Sequence, residues 1–222
     1  TIAESYRLAA LPEHQDVFTA HSPYIDARIN RFTHIFESAD DLHAKQEMQR
    51  VLGRTTGTCF QRCVGMDALN ALFNVTYEVD LAEGTKYHER FLAFLRTVQR
   101  EDRVCCGAMT DPKGDRRKPP SEQPEMFVRV VETREDSIVV RGAKMHQTGV
   151  VNSHEIIVMP GGNLREDEGE FAVCFAIPVD HPGVTLVYGR SPSDERRMAQ
   201  GLDQGKSSWR RGFSSDIGGQ GH

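Results

Sequence analysis

A switch of period near residue 100 constrains this 222-residue chain more than any other feature. Up to that point apolar residues recur at three- and four-residue intervals, the spacing that lines one face of a helix. Ile25, Ile29, Phe32 and Phe36 form one such stripe, Cys59, Cys63, Met66, Asn70 and Phe73 a second, and Tyr87, Phe91, Phe94, Leu95 and Val98 a third. Ser38-Ala39-Asp40-Asp41 is a start signal for a helix running through Leu42, Met48 and Val51, with Gly53 and Gly57 flanking its break. Four to five helices are therefore expected before residue 100. From about residue 103 the pattern becomes short β-rich runs: Met126 to Glu132, Ser137 to Arg141, Glu155 to Met159, Glu170 to Ile177 and Val184 to Tyr188. Thr133-Arg134-Glu135-Asp136 reads as a hairpin turn, and Pro160-Gly161-Gly162 and Asp180-His181-Pro182-Gly183 end two other runs. Helices in a block followed by strands in a block specify an α+β chain, not an alternating α/β sheet.

The division that follows is a helical domain over 1–102, a β domain over 103–190 and a polar Ser/Gly/Arg-rich tail over 191–222 that cannot pack an element of its own. The absence of an initial Met, and a tail that breaks pattern near residue 206, are read as the marks of a truncated or aberrant chain.

Charge excludes several classes of partner. A formal net charge of -5, with Lys and Arg scattered, leaves no footprint for nucleic acid or for an anionic membrane surface. No apolar run nears the roughly 20 residues a membrane span needs, and the start lacks a secretory leader, so a cytoplasmic location is expected. Five cysteines is an odd number for a disulfide framework, which leaves burial or metal binding as the use of sulfur.

Three stretches could carry chemistry. Cys59 and Cys63 stand four apart in a helical context, which would put both thiols on one helix face; they are either two core thiols or two ligands of one metal centre. Cys105, Cys106 and Cys174 are read as buried in strands. The run Met109-Thr110-Asp111-Pro112-Lys113-Gly114-Asp115-Arg116 follows a strand end and is either a plain Asp-Pro turn or a loop offering N–H groups, a hydroxyl and a cation to a ring carbonyl and a diphosphate. Lys144-Met145-His146-Gln147-Thr148-Gly149, with Asn152-Ser153-His154-Glu155 after it, is either a polar connection or part of a site; Val158 stands where a zinc-protease helix would need its second His.

Taken together these stretches resemble the 4-hydroxyphenylacetate 3-hydroxylase family, on its 4-hydroxybutyryl-CoA dehydratase (vinylacetyl-CoA isomerase) branch. The phrases that carry the resemblance are Met48 to Gly53, Cys59-Phe60-Gln61-Arg62-Cys63-Val64-Gly65-Met66-Asp67-Ala68, Ala108 to Arg116, Val139 to Lys144, His146 to Gly149, Asn152 to Glu155 and Val187-Tyr188-Gly189-Arg190. The resemblance implies an acyl-CoA-dehydrogenase-like order: a helical N-terminal domain, a middle β-barrel or sandwich that binds flavin, and a C-terminal helical bundle that this chain lacks. It implies FAD contacted by Met109, Thr110, Asp111, Lys113, Gly114, Asp115, Arg116, His146, Gln147 and Thr148, with Thr148 near the reactive edge. It also implies a 4Fe–4S cluster of which Cys59 and Cys63 supply two of four ligands, and an acyl-CoA pocket faced by Arg50 and Gln61. The implied reaction is radical dehydration of 4-hydroxybutyryl-CoA to crotonyl-CoA by a homotetrameric parent, with the isolated chain inactive. The hydroxylase branch is expected to lack the cysteine pair; a flavin-dependent phenol monooxygenase and an inactive flavin-binding fragment are the competing readings.

Overall fold

A computed structural model describes residues 1–188 with the exception of Phe60 and Lys113. Gly189, Arg190 and the expected tail over 191–222 lie outside the described residues. The chain divides into two compact units, one comprising Thr1–Gly107 with Thr148–Ile157, the other Ala108–Gln147 with the chain from Val158 onward.

The first unit is mainly helical. Helices α1 (Ile2–Ala10) and α2 (Gln15–Phe18) lead into a hairpin of β1 (Thr19–Ser22) and β2 (Ala27–Asn30), followed by α3 (Ala39–Thr56), α4 (Cys63–Glu83) and α5 (Tyr87–Arg100). The start of α3 is a reciprocal cap: Asp41 N–H donates to Ser38 Oγ, and Ser38 N–H donates back to the Asp41 carboxylate. Gly57, left-handed at φ 66°, closes the other end, where its N–H donates to the Gly53 carbonyl. Leu8, Phe18, Phe32, Met48, Leu52 and Met66 gather into one core, so α1, α2, α3 and α4 are packed by their apolar faces. β3 (Cys105–Ala108) lies beside β6 (Glu155–Val158). Where β6 begins, His154 and Glu155 N–H groups both donate to the Val104 carbonyl.

The stripe from Ile25 to Phe36 is not a helix. Ile29 and Phe32 are buried as the spacing requires, but they sit on β2 and on a short 3-10 turn, Arg31–Thr33. The turn between β1 and β2 holds Asp26 at φ 50°, and the Asn30 side chain accepts from Phe32 N–H, a local bond that competes with helix propagation.

In the second unit β4 (Arg129–Thr133) and β5 (Ile138–Arg141) form an antiparallel hairpin with an irregularity between Val130 and Glu132, and Arg134 N–H donates to Ser137 O across the turn. β7 (Phe175–Pro178) is preceded by a 3-10 segment, Glu166–Phe171, so the run expected from Glu170 is a strand only in its second half. Cys174 falls just before that strand, and Val184 to Tyr188 are not in a strand. Mixed α+β architecture is thus what the chain has, but the described strands make small sheets of two or three, none closed into a barrel. The cause is strand length: four or five residues bounded by Pro119-Pro120, Pro124 and Pro160-Gly161-Gly162 give too little ladder to close a sheet on itself.

Candidate functional site

In the first unit α3 ends at Thr56 and Cys63 is the first residue of α4, with Cys59, Gln61 and Arg62 in the connection between them. Cys59 therefore does not project from a helix as the spacing implied; Gly57 ends α3 and Gln61, at φ 61°, turns the chain in the left-handed region before α4 can start. The two thiols are neighbours all the same. Burial, and then the adjacent Cys59 thiol, push the Cys63 thiol above its ordinary value, against the N–H groups at the start of α4. Cys59 is exposed and Cys63 half-buried, so a metal ion that binds both can reach them and must displace their protons. Among the described residues, no group of three or more His, Cys, Asp or Glu side chains gathers around a common point.

Two glycines set the position of α4 against β3. A Cβ on Gly65 would lie 1.9 Å from the Cys105 carbonyl oxygen, and one on Gly107 would lie 2.2 Å from Val64 Cγ1. Only glycine lets helix and strand approach this closely. Gly149, at φ 79°, presses on the same loop: a Cβ there would stand 3.1 Å from the Gln61 carbonyl oxygen. Thr148 is exposed just before it, and its carbonyl accepts from Cys106 Sγ at 3.8 Å. Cys59, Gln61, Cys63 and the Thr148-Gly149 segment are thus one neighbourhood. Arg50 is exposed on α3 with Glu47 as its ion partner at 3.3 Å.

Arg62 is the residue that spacing alone did not single out. Only 2% exposed, its guanidinium lies 4.4 Å from the Phe32 ring centroid and 5.0 Å from that of Tyr6, and it donates to Ser5 Oγ at 3.2 Å. Asp102 Oδ1 is 3.8 Å away. Burial pulls the arginine down and pushes Asp102 up from their ordinary values, each opposed by the other's charge. Cys105 and Cys106 are pushed up to about 12 and about 11 by burial, which makes them inert protonated thiols, as their placement in a buried strand implied.

In the second unit the loop from Met109 is organised around an ion pair that the sequence also hid. Lys144 Nζ donates to Asp111 Oδ1 at 2.5 Å and to the Met109 carbonyl at 3.1 Å, and Met145 N–H donates to Thr110 O at 2.8 Å. The two side chains are 4% and 10% exposed. Burial raises Asp111 and lowers Lys144, each held back by the other. A Cβ on Gly161 would lie 2.4 Å from Asp111 Oδ2, so the Pro160-Gly161-Gly162 bend is a close backbone wall for that carboxylate. Asp111 is committed to the loop's own structure. Further along, Asp115 binds Arg117 through its carboxylate, while its N–H donates to Gln123 Oε1 at 2.9 Å. Met109, Thr110, Gly114 and Arg116 are exposed, and Lys113 lies outside the described residues. His146 is exposed at φ 57°, and the Gln147 amide donates to the Met145 carbonyl. No signal in the sequence pairs positions 111 and 144; only the fold does.

Residues 1–212 match the family described as 4-hydroxyphenylacetate 3-hydroxylase N terminal. The chain is 51% identical over 204 residues to 4-hydroxybutyryl-CoA dehydratase/vinylacetyl-CoA-Delta-isomerase of Clostridium aminobutyricum, an alignment covering 91% of the chain and 42% of the relative. It is 32% identical over 136 residues to the oxygenase component of 4-hydroxyphenylacetate 3-monooxygenase from Thermus thermophilus, covering 58% of the chain and 28% of that protein. Among solved structures, an oxygen-tolerant archaeal 4-hydroxybutyryl-CoA dehydratase from N. maritimus superposes with a TM-score of 0.82 at 53% identity, over 85% of the chain and 38% of its own. The 4-hydroxyphenylacetate 3-monooxygenase oxygenase component complexed with FAD and 4-hydroxyphenylacetate shares the fold at a TM-score of 0.65 and 24% identity, over 82% of the chain and 37% of its own. The chain therefore spans less than half the length of the relatives it matches, and it belongs to the 4-hydroxyphenylacetate 3-hydroxylase family, whose N-terminal region it represents.

Proposed function

We propose that this chain is the N-terminal and middle portion of a flavin- and iron–sulfur-dependent dehydratase that converts 4-hydroxybutyryl-CoA to crotonyl-CoA, with vinylacetyl-CoA isomerase activity. The observation that carries the reading is the thiol pair: Cys59 and Cys63 adjoin each other at the start of α4, beside Gln61 and the Thr148-Gly149 segment. Two accessible thiols suit two of the four ligands of a 4Fe–4S cluster, and the described residues gather no third. The remaining two are assigned to the part of the parent that corresponds to the relatives' further length. The 51% identity to the clostridial dehydratase supports the same branch.

When bound, the cluster supplies a Lewis acid for a departing hydroxyl and the flavin an acceptor for the hydrogen of an unactivated β C–H, which no side-chain base is strong enough to remove alone. The chain's residues bind and orient. Gln61, fixed left-handed between the two cysteines, presents its amide to the acyl group, and Arg50, exposed on α3, faces the same acyl-CoA. Thr148 offers an exposed hydroxyl to the flavin while its carbonyl is held by Cys106. In the second unit, Met109, Thr110, Gly114, Asp115, Arg116, His146 and Gln147 are assigned to FAD, with Lys113 among them, and Asp111 acts through Lys144 by holding the loop in shape. We assign the helical part to 1–102 and the flavin-binding part to 103–190, in a cytoplasmic, homotetrameric parent.

Iron and sulfide analysis of the full-length protein, prepared without oxygen, tests the reading. About four irons per chain are expected, falling on Cys59→Ser or Cys63→Ser together with turnover of 4-hydroxybutyryl-CoA. Absence of iron with hydroxylation of a phenol would assign the protein to the monooxygenase branch instead.

A further inference from the structure

We infer that Arg62 is the positioning residue for the thiol pair: its guanidinium, clamped between the Tyr6 and Phe32 rings and tied to Ser5, fixes the Cys59–Cys63 loop at the spacing that one cation needs. The inference rests on the reading of Cys59 and Cys63 as ligands and goes beyond it, because it gives a role to Arg62, which is buried against Tyr6, Phe32 and Ser5 and is not itself a ligand.

The geometry leaves the loop little choice. Arg62 is the residue on which α4 starts, where Met66 N–H donates to its carbonyl at 3.1 Å, and it directly follows Gln61 at φ 61°. A left-handed glutamine does not persist unless its surroundings hold it there. On one side Gly149 packs against the Gln61 backbone; on the other, the Arg62 side chain is sunk to 2% exposure among α1, the Arg31–Thr33 turn and the end of α5. Those supports are themselves tied together. Tyr6 Oη donates to the Asp102 carbonyl at 2.6 Å, Asn30 Nδ2 donates to Asp102 Oδ2 at 3.4 Å, and Ser5 Oγ donates to Ile2 O at 2.6 Å. Asp102 Oδ1 faces Arg62 at 3.8 Å and has no hydrogen-bond partner among the described residues. The arginine is therefore held by ring stacking and by Ser5 more than by its ion partner. Stacking needs a flat cation, which lysine is not.

An anaerobic Cd2+ titration of the full chain, read by the near-ultraviolet thiolate-to-cadmium band, tests this without recourse to turnover. The band that Cys59→Ser/Cys63→Ser removes belongs to the pair. Arg62→Met is expected to weaken Cd2+ at the pair about 10- to 100-fold, the range for residues that orient ligands. Alkylation of the already exposed Cys59 by iodoacetamide should stay near the wild-type rate. Arg62→Lys is expected to leave the loss unrepaired. Ser5→Ala, which removes the bond from Arg62 and the Ser5 bond to Ile2 O but nothing from the loop itself, should weaken Cd2+ in the same direction and decides the matter if Arg62→Met does not fold. Wild-type affinity in folded Arg62→Met or in Ser5→Ala would overturn the role of Arg62 and leave the ligand reading standing, as would full rescue by Arg62→Lys. A wild-type titration with no band beyond that of the double serine variant would overturn both.

Discussion

Gly65→Ala and Gly53→Ala make the same chemical change in two helices and are expected to act in opposite directions. At Gly65, in the first turn of α4, the new methyl would sit 1.9 Å from the Cys105 carbonyl oxygen and 2.6 Å from its carbon. Both atoms are strand backbone, so no side chain can swing aside; helix and strand must part by roughly 1 Å or more to restore van der Waals distance. Forcing a methyl into a packed contact costs about 1–3 kcal/mol, and the upper end applies because the obstacle is the backbone of β3. At Gly53, inside α3, nothing among the described residues beyond the helix's own neighbouring backbone lies within 4 Å of the added methyl. There the change removes only the helix penalty of glycine, a gain of about 1 kcal/mol. For a chain of this length 1 kcal/mol moves Tm by roughly 2–4 °C. Gly65→Ala should then melt roughly 6–12 °C below wild type and Gly53→Ala a few degrees above it, followed by far-ultraviolet circular dichroism. Because Gly65 is two residues from Cys63, Gly65→Ala should also weaken Cd2+ at the thiol pair while Gly53→Ala leaves it unchanged. A Gly65→Ala variant that melts at or above the wild-type temperature would refute the contact between α4 and β3.

Lys144→Met leaves the Asp111 carboxyl buried without its cation and is expected to cost about 3–5 kcal/mol in urea unfolding; Asp111→Leu/Lys144→Met, which removes both charges, should recover most of it. Ser38→Ala removes half of the α3 cap and is expected to cost about 1 kcal/mol by the same measurement. At Asp41 burial pushes the carboxyl up, but the Glu37 N–H, the Ser38 hydroxyl and His34 outweigh it and hold the folded value below the ordinary one. Its stabilisation is therefore complete above the unfolded value and lost as pH falls through the folded one, so the Tm gap between wild type and Asp41→Asn should hold from about pH 7 to 5 and close below about pH 4. Burial, against the pull of Asp41, lowers His34 in the fold, so the neutral ring is favoured and stability should also slip as pH drops through the ordinary histidine range. His34→Gln should flatten that part of the curve.

The elements legible in the sequence were those whose reasons are local. The cap of α3 needs only Ser38 and Asp41, three apart, and α5 needs only the stripe from Tyr87 to Val98. The turn between β4 and β5 is likewise written in four adjacent residues. Where a stripe misled, a short-range bond or a glycine had overruled it: Asn30 capping Phe32 turned the run from Ile25 into a hairpin and a 3-10 turn, and Gly57 with Gln61 unwound the residues before Cys63. Spacing reports which residues share a face if the chain is helical, and it is silent on whether a left-handed residue interrupts that helix.

Those interruptions are where the candidate chemistry lies. The described residues include four non-glycine residues at clearly positive φ: Asp26, Gln61, Asp102 and His146. Asp26 is an exposed turn residue, a conformation aspartate tolerates. Gln61 separates the two thiols, Asp102 faces the arginine that anchors them, and His146 introduces the segment assigned to flavin. A left-handed glutamine costs on the order of 1–2 kcal/mol that glycine would not. Substituting Gln61→Gly should therefore leave stability equal or higher while abolishing turnover in the full-length protein. Equal stability with unchanged turnover would mean that the strained backbone serves only to connect α3 to α4, and that the amide of Gln61 has no substrate to meet.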